Sequence, residues 1–225
     1  MDSGYGVAAS VAIGLVAVAD VSATVSDWRT VSVVARYAES RASRADLEAA
    51  DQLGLFTALG YCSLLVIAGA LFIVWLWRAR ENAAFLCDGR HQFGRGWTIG
   101  GWFLPVASFW IPRRVVHDVA VASDPWTRAR GAALNTGRSP EVSGWWVFWI
   151  LQSVTGWLAA VLTNGALTAT GSAVVTSLKM AAVCSTLSSF LCCITAVLAV
   201  RVIRTINGDQ RSRPPIPWWA IPLEP

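Results

Sequence analysis

The chain has 225 residues, of which 55% are hydrophobic and only 14% charged, with a mean hydropathy of +0.50. Soluble domains carry roughly a quarter charged residues, so the composition excludes an ordinary soluble globular protein and points to a chain integral to a membrane. The formal charge of +4, from 18 Lys+Arg against 14 Asp+Glu, does not imply a nucleic-acid partner, because the arginines flank apolar stretches and no basic block carries interleaved aromatics.

The first apolar stretch covers residues 7–25 and contains Asp20. A rival reading makes residues 1–19 a signal peptide cleaved after Ala17-Val18-Ala19, but the basic n-region is missing. Residues 26–51 follow as a loop of mixed charge. Ser43-x-x-Asp46 is a capping start for a helix running into the second stretch, 53–77. The fourth and fifth stretches, 144–163 and 173–200, are again long enough to span, the last with Lys179 near its start. Ser139-Pro140-Glu141 reads as N-cap, first-turn proline and first-turn acid. Asn207-Gly208 is expected to end the last helix.

The third apolar stretch, 96–112, differs from the others. It is at the minimum length for a span and carries Gly100, Gly101 and Pro105. Arg90 and Arg95 precede it, and Arg113 and Arg114 follow it. Arginine also marks the linker beyond, with Arg128, Arg130 and Arg138, and the tail, with Arg201, Arg204, Arg211 and Arg213, whereas residues 164–172 carry no charge. The positive-inside rule then places all three Arg-rich regions in the cytoplasm. Stretch 96–112 must enter and leave on one face, as a re-entrant hairpin or an interfacial wedge. The expected architecture is an all-α membrane four-helix bundle over residues 1–206. It has a cytoplasmic hairpin, both termini cytoplasmic, and a Pro/Trp-rich tail over 207–225. The setting is a multi-pass protein of the cell membrane.

Several polar residues invite a functional reading. Arg78, Arg80, Glu81 and Asn82 sit where the second stretch leaves the membrane, either as a plain helix-end anchor or as the lining of a polar mouth facing the hairpin. His117 and Asp118 lie on a short helix expected beyond the hairpin. The two histidines, His91 and His117, with Asp88, Asp118 and Asp124, match no established metal spacing, and no metal or other cofactor is expected. Asp20 and Lys179 are ionisable groups inside apolar stretches, both placed in the outer half by counting about 1.5 Å per residue from the stretch ends. Such groups seek partners, and a mutual ion pair is the expectation.

The chain holds 13 Trp. Trp75, Trp77, Trp97, Trp145 and Trp146 fall near the expected cytoplasmic interface, where an aromatic belt accounts for them. Trp102, Phe103, Trp110, Trp149 and Trp157 suggest an apolar pocket under the hairpin, suited to a quaternary-ammonium ligand, or to a carbocation derived from an isoprenoid. The five cysteines read as inert packing residues, since adjacent Cys192-Cys193 makes a poor disulfide.

Two paired motifs carry a resemblance. Trp75-Leu76-Trp77-Arg78-Ala79-Arg80-Glu81-Asn82-Ala83, followed by Gly100-Gly101-Trp102-Phe103-x-Pro105 and Trp110-x-Pro112, resembles an actinobacterial family of small integral-membrane proteins catalogued only as a domain of unknown function. The likeness runs from about Leu53 to the final span. It implies a topology class and no activity.

Three functions remain in view. The first is a membrane-embedded module binding a lipid or a partner protein through the hairpin mouth, with Arg78, Arg80, Asn82, Trp102, Trp110 and His117 as contacts. The second is an intramembrane enzyme of cyclase or isomerase type on a lipid or isoprenoid, with Asp118 or Glu81 as the acid. The third is a small pore or carrier. No nucleophile elbow, phosphate loop or His-Glu-x-x-His motif is present.

Overall fold

The computed structural model describes residues 4–127, 133–134, 137–214 and 216–220. Arg128 and Arg130 of the linker, and parts of both termini, lie outside them. Among the described residues six α-helices follow in order: α1 Gly4–Ala38, α2 Arg44–Leu86, α3 Trp97–Gly100, α4 Ile111–Ser123, α5 Pro140–Thr168 and α6 Ser172–Ser212. Among the described residues there is no strand, only an isolated bridge between Arg90 and Ala133. α1, α2, α5 and α6 are long and apolar enough to cross a membrane. The protein is an all-α membrane bundle of four long helices, and stretch 96–112 is not among the spanning candidates.

The helices start and stop where local chemistry dictates. Ser43 and Asp46 form the expected reciprocal cap: the Ser43 amide donates to Asp46 Oδ2 (2.8 Å) and the Asp46 amide to Ser43 Oγ (3.2 Å). α1 ends where Ser40 adopts φ 58°, with the Arg41 amide bonded back to Arg36 O at 2.8 Å. α5 opens on Pro140 with Glu141 in its first turn. α6 runs past Gly208, contrary to expectation, and ends at Ser212. A mid-helix glycine costs about 1 kcal/mol, and tertiary bonds made by Gln210 beyond it outweigh that cost.

The chain divides into two compact units, to both of which each long helix contributes a segment. The first holds Met1–Ala12, Ala68–Val147 and Val197–Pro225, hence both termini and the whole α2–α5 linker. The second holds Ile13–Ile67 and Phe148–Ala196, with the two short turns, residues 39–43 and 169–171.

In the second unit α6 presents a row of hydroxyls. Ser185 Oγ donates to Asp27 Oδ2 at 2.6 Å, Trp28 Nε1 donates to Thr186 Oγ1 at 2.9 Å, and Ser188 Oγ donates to Gln152 O at 3.0 Å. Interhelical bonds of this kind contribute about 0.6 kcal/mol each in a bilayer. They explain why the expected 26–51 loop is mostly helix: Asp27 and Trp28 find partners on α6, and the real turn shrinks to residues 39–43.

The expected Asp20–Lys179 ion pair does not form; Asp20 faces Ser189 and Cys192. Lys179 lies ten residues from Ser189 on the same helix, about 15 Å along its axis. The sequence count failed because α1 continues to Ala38, so its end is not at Trp28. Asp20→Asn and Lys179→Met should therefore combine additively, within about 0.5 kcal/mol, in a double-mutant cycle read by unfolding in detergent. A coupling well above 1 kcal/mol would contradict this placement.

Candidate functional site

Between Leu86 and Pro140 the first unit abandons long helices. Stretch 96–112 forms one turn of helix, α3, then loose turns and a short 3-10 turn at Ala107–Phe109. Gly101 is required there, because a Cβ would stand 2.8 Å from Ile111 Cγ2 and 2.9 Å from Trp97 O. Gly100 meets nothing within 4 Å. α4 then starts with Pro112 in its first turn. Its residues Ile111, Val115, Val116, Val119 and Ala122 recur at helical spacing and are buried, while Arg113 and Arg114 stand on the exposed face.

Buried polar side chains fasten this linker. Asp118, on the buried face of α4, is fully enclosed; its Oδ2 accepts the Gln92 amide at 2.6 Å and its Oδ1 the Gln92 side-chain Nε2 at 2.8 Å. Arg80, buried on α2, donates to Phe93 O. His91 lies within electrostatic reach of both Arg80 and Asp118, its ring nitrogens buried and without a hydrogen bond. Burial above all, and the nearby Arg80 cation, push its imidazole down to about 4.

Gln210 of α6 is buried too, donating to Ala79 O (2.8 Å) and Ser123 Oγ (2.9 Å) and accepting from Asn82 Nδ2 (3.3 Å). Arg213 donates to Leu86 O at 3.0 Å and to Asp124 O, the ends of α2 and α4. A cation at two helix C-termini satisfies carbonyls that the helices themselves cannot. Gln92, Gln210 and Arg213 were not expected from sequence. The one faint signal was polar residues continuing past Gly208.

Aromatic rings form the apolar counterpart. Phe72 lies 5.3 Å from Trp75, 5.7 Å from Trp102 and 5.7 Å from Trp145, and Trp146 is 5.5 Å from Trp145. Trp146 Nε1 donates to Phe109 O at 3.1 Å, tying α5 to segment 96–112. Trp75, Trp145 and Trp146 are thus buried packing residues and not members of an exposed belt. Of the five aromatics expected to line a pocket, Trp102 joins this cluster and Phe103 and Trp110 are exposed. Trp149 and Trp157 belong to the second unit.

The residues expected at one polar mouth separate. Residues two apart on a helix point to opposite sides. Arg80 turns to the linker, whereas Arg78 stacks 4.4 Å from the centroid of the Tyr5 ring and Asn82 reaches Gln210. Glu81 stays exposed, 3.9 Å from Arg95. His117 Nε2 is 3.2 Å from Gly137 O. Arg80 and Asp118 do share one buried cluster, through Phe93, His91 and Gln92.

Outward, segment 96–112 is apolar. Phe103 is 72% and Val106 67% exposed, with Leu104, Phe109 and Trp110 also open. A shallow depression of about 620 Å³ is lined by Gly94, Gly96, Gly100, Trp97, Phe103 and Leu104. Among the described residues, no group of three or more His, Cys, Asp or Glu gathers as a metal site.

Two outcomes follow. Asp118→Leu should destabilise the protein by about 3 kcal/mol or more, since two bonds to a charged acceptor are lost; denaturation in detergent measures it. The neutral His91 imidazole is favoured in the folded state. Its contribution is therefore complete above about pH 6.5, the unperturbed value, and is lost as the pH falls towards about 4. The melting temperature should drop across that window, and His91→Phe should flatten the drop.

No curated protein and no solved structure matches the chain. A family model described as Domain of unknown function (DUF4328) matches residues 38–208, which takes in all of α2, the whole linker, α5 and α6 up to Gly208. That range is about three quarters of the chain and contains segment 96–112, the aromatic cluster and the Arg80–Asp118 anchors, so the chain belongs to the DUF4328 family.

Proposed function

We propose that the protein is a non-catalytic membrane module of the cell membrane that binds lipid through its hairpin, with the hairpin and both termini on the cytoplasmic side. The observation that carries this reading is the apolar tip of Phe103, Leu104, Val106 and Phe109 on a non-spanning segment. Exposed apolar side chains on a spanning helix need no explanation, because lipid solvates them. The same side chains on a segment of short turns do. Arg95, Arg113 and Arg114, all exposed, border this tip and match the anionic cytoplasmic leaflet, where each contributes about 1 kcal/mol.

The hairpin then acts as an interfacial wedge, and the glycine-floored depression beside Trp97 and Phe103 takes an acyl chain. The buried anchors support a binding role over a catalytic one. Asp118 is enclosed, with both oxygens engaged by Gln92, and Glu81 faces Arg95.

Two measurements test the reading. A photoactivatable fatty-acyl phospholipid should crosslink to residues within 96–112, and Phe103→Ser with Leu104→Ser should reduce that adduct several-fold without changing expression. No lipid adduct there, with a photoactivatable amino acid at position 103 crosslinking to a protein instead, would make the partner a polypeptide. Separately, a spin label at position 104 in a Cys-free background should show oxygen accessibility typical of the leaflet. A water-like signal would sink the wedge.

A further inference from the structure

A second place on the first unit has the chemistry of a ligand site, away from the hairpin. The start of α1 packs closely on the end of α6, where Gly6 lies against Ile203 and Asn207. Beside this contact is a cavity of about 470 Å³. Its walls include Val7, Val11 and Val200, and its rim carries Arg204, Asn207 and Arg211.

The three rim residues stand at i, i+3 and i+7 on α6, which puts them on one face. The two arginines are about 10 Å apart along the axis, a gap that their long side chains can close around one anion. Neither guanidinium makes a hydrogen bond or ion pair with any described residue. Among the described lining residues there is no carboxylate. Asn207 Oδ1 already accepts from Trp75 Nε1 at 3.0 Å, which leaves the amide nitrogen on the Gly6 side.

The apolar walls decide the kind of anion. Val7 and Val11 are both well exposed and lie where the apolar run of α1 begins. Val200 is the last residue of the uncharged apolar run before Arg201, the first charge on the way to Arg204. The cavity therefore straddles the boundary between hydrocarbon and headgroup depth on both helices. A free phosphate would use the rim alone and leave the valines empty.

We infer that this cavity holds one acidic phospholipid. Its phosphate lies between Arg204 and Arg211, where bidentate guanidinium bonds suit it, and one acyl chain follows Val7, Val11 and Val200. The site is independent of the hairpin and stands whether or not the hairpin binds lipid.

Native mass spectrometry of the full chain released from bilayers of equal phosphatidylglycerol and phosphatidylcholine tests it. One phosphatidylglycerol should remain bound per chain. R204Q/R211Q should weaken its retention roughly thirtyfold. V11W keeps both arginines but fills the apolar wall, and it should lower retention as well; if the double variant does not fold, V11W alone decides. Equal retention of the two lipids, or unchanged phosphatidylglycerol in the variants, would overturn the assignment. So would displacement by inorganic phosphate alone, which would mark a free-anion site.

Discussion

A chain that leaves helical conformation beside a lipid-solvated bundle must find a partner for every peptide group it frees, because hydrocarbon offers none. In this protein the partners are the buried side chains of Arg80 on α2 and Asp118 on α4, with half-buried Arg213 just past α6. Arg80 takes Phe93 O, Asp118 takes the Gln92 amide, and Arg213 takes the last carbonyl of α2 together with Asp124 O. The shape of the linker depends on these bonds. With its frame held from beneath, the segment can keep its own apolar side chains turned outward.

The two units solve their packing with different chemistry. In the second, bonds are made by small hydroxyls of α6 and by Asp27, Trp28 and Gln152 opposite them. Small residues let helices approach where no hydrophobic drive separates helix from lipid. In the first unit the work falls to large rings and charged groups. The rings around Phe72 bury wide faces at tilted or edge-on angles, geometries that add about 0.5–1.5 kcal/mol per pair beyond area burial. The hydrogen bond from Trp146 to Phe109 O joins the apolar and polar devices.

This division bears on function. Arg80, Asp118 and His91 are drawn inward, which makes them supports. Arg95, Arg113, Arg114, Arg204 and Arg211 stay outside on the same unit. These five cations border apolar surface, at segment 96–112 and at the α1–α6 cavity. Each place offers charge and apolar surface together, and on that pairing both lipid-binding proposals rest.

Sequence by itself determined the number of long helices, the odd character of stretch 96–112, the cap at Ser43–Asp46, the Pro140 start and the family. These follow from composition, from run length and from bonds made within a few residues. It did not determine where helices end when partners lie far along the chain. α1 outruns its apolar stretch because α6 supplies hydroxyls, and α6 passes Gly208 because Gln210 and Arg213 find carbonyls on other elements. The error at the end of α1 carried directly into the mistaken Asp20–Lys179 pair. Arg80 and Asp118 were legible as important residues, but their burial was not. A polar side chain in such a segment can face lipid headgroups or carbonyls with the same local sequence, and only the tertiary structure, by bringing Gln92 and Phe93 onto them, decided which.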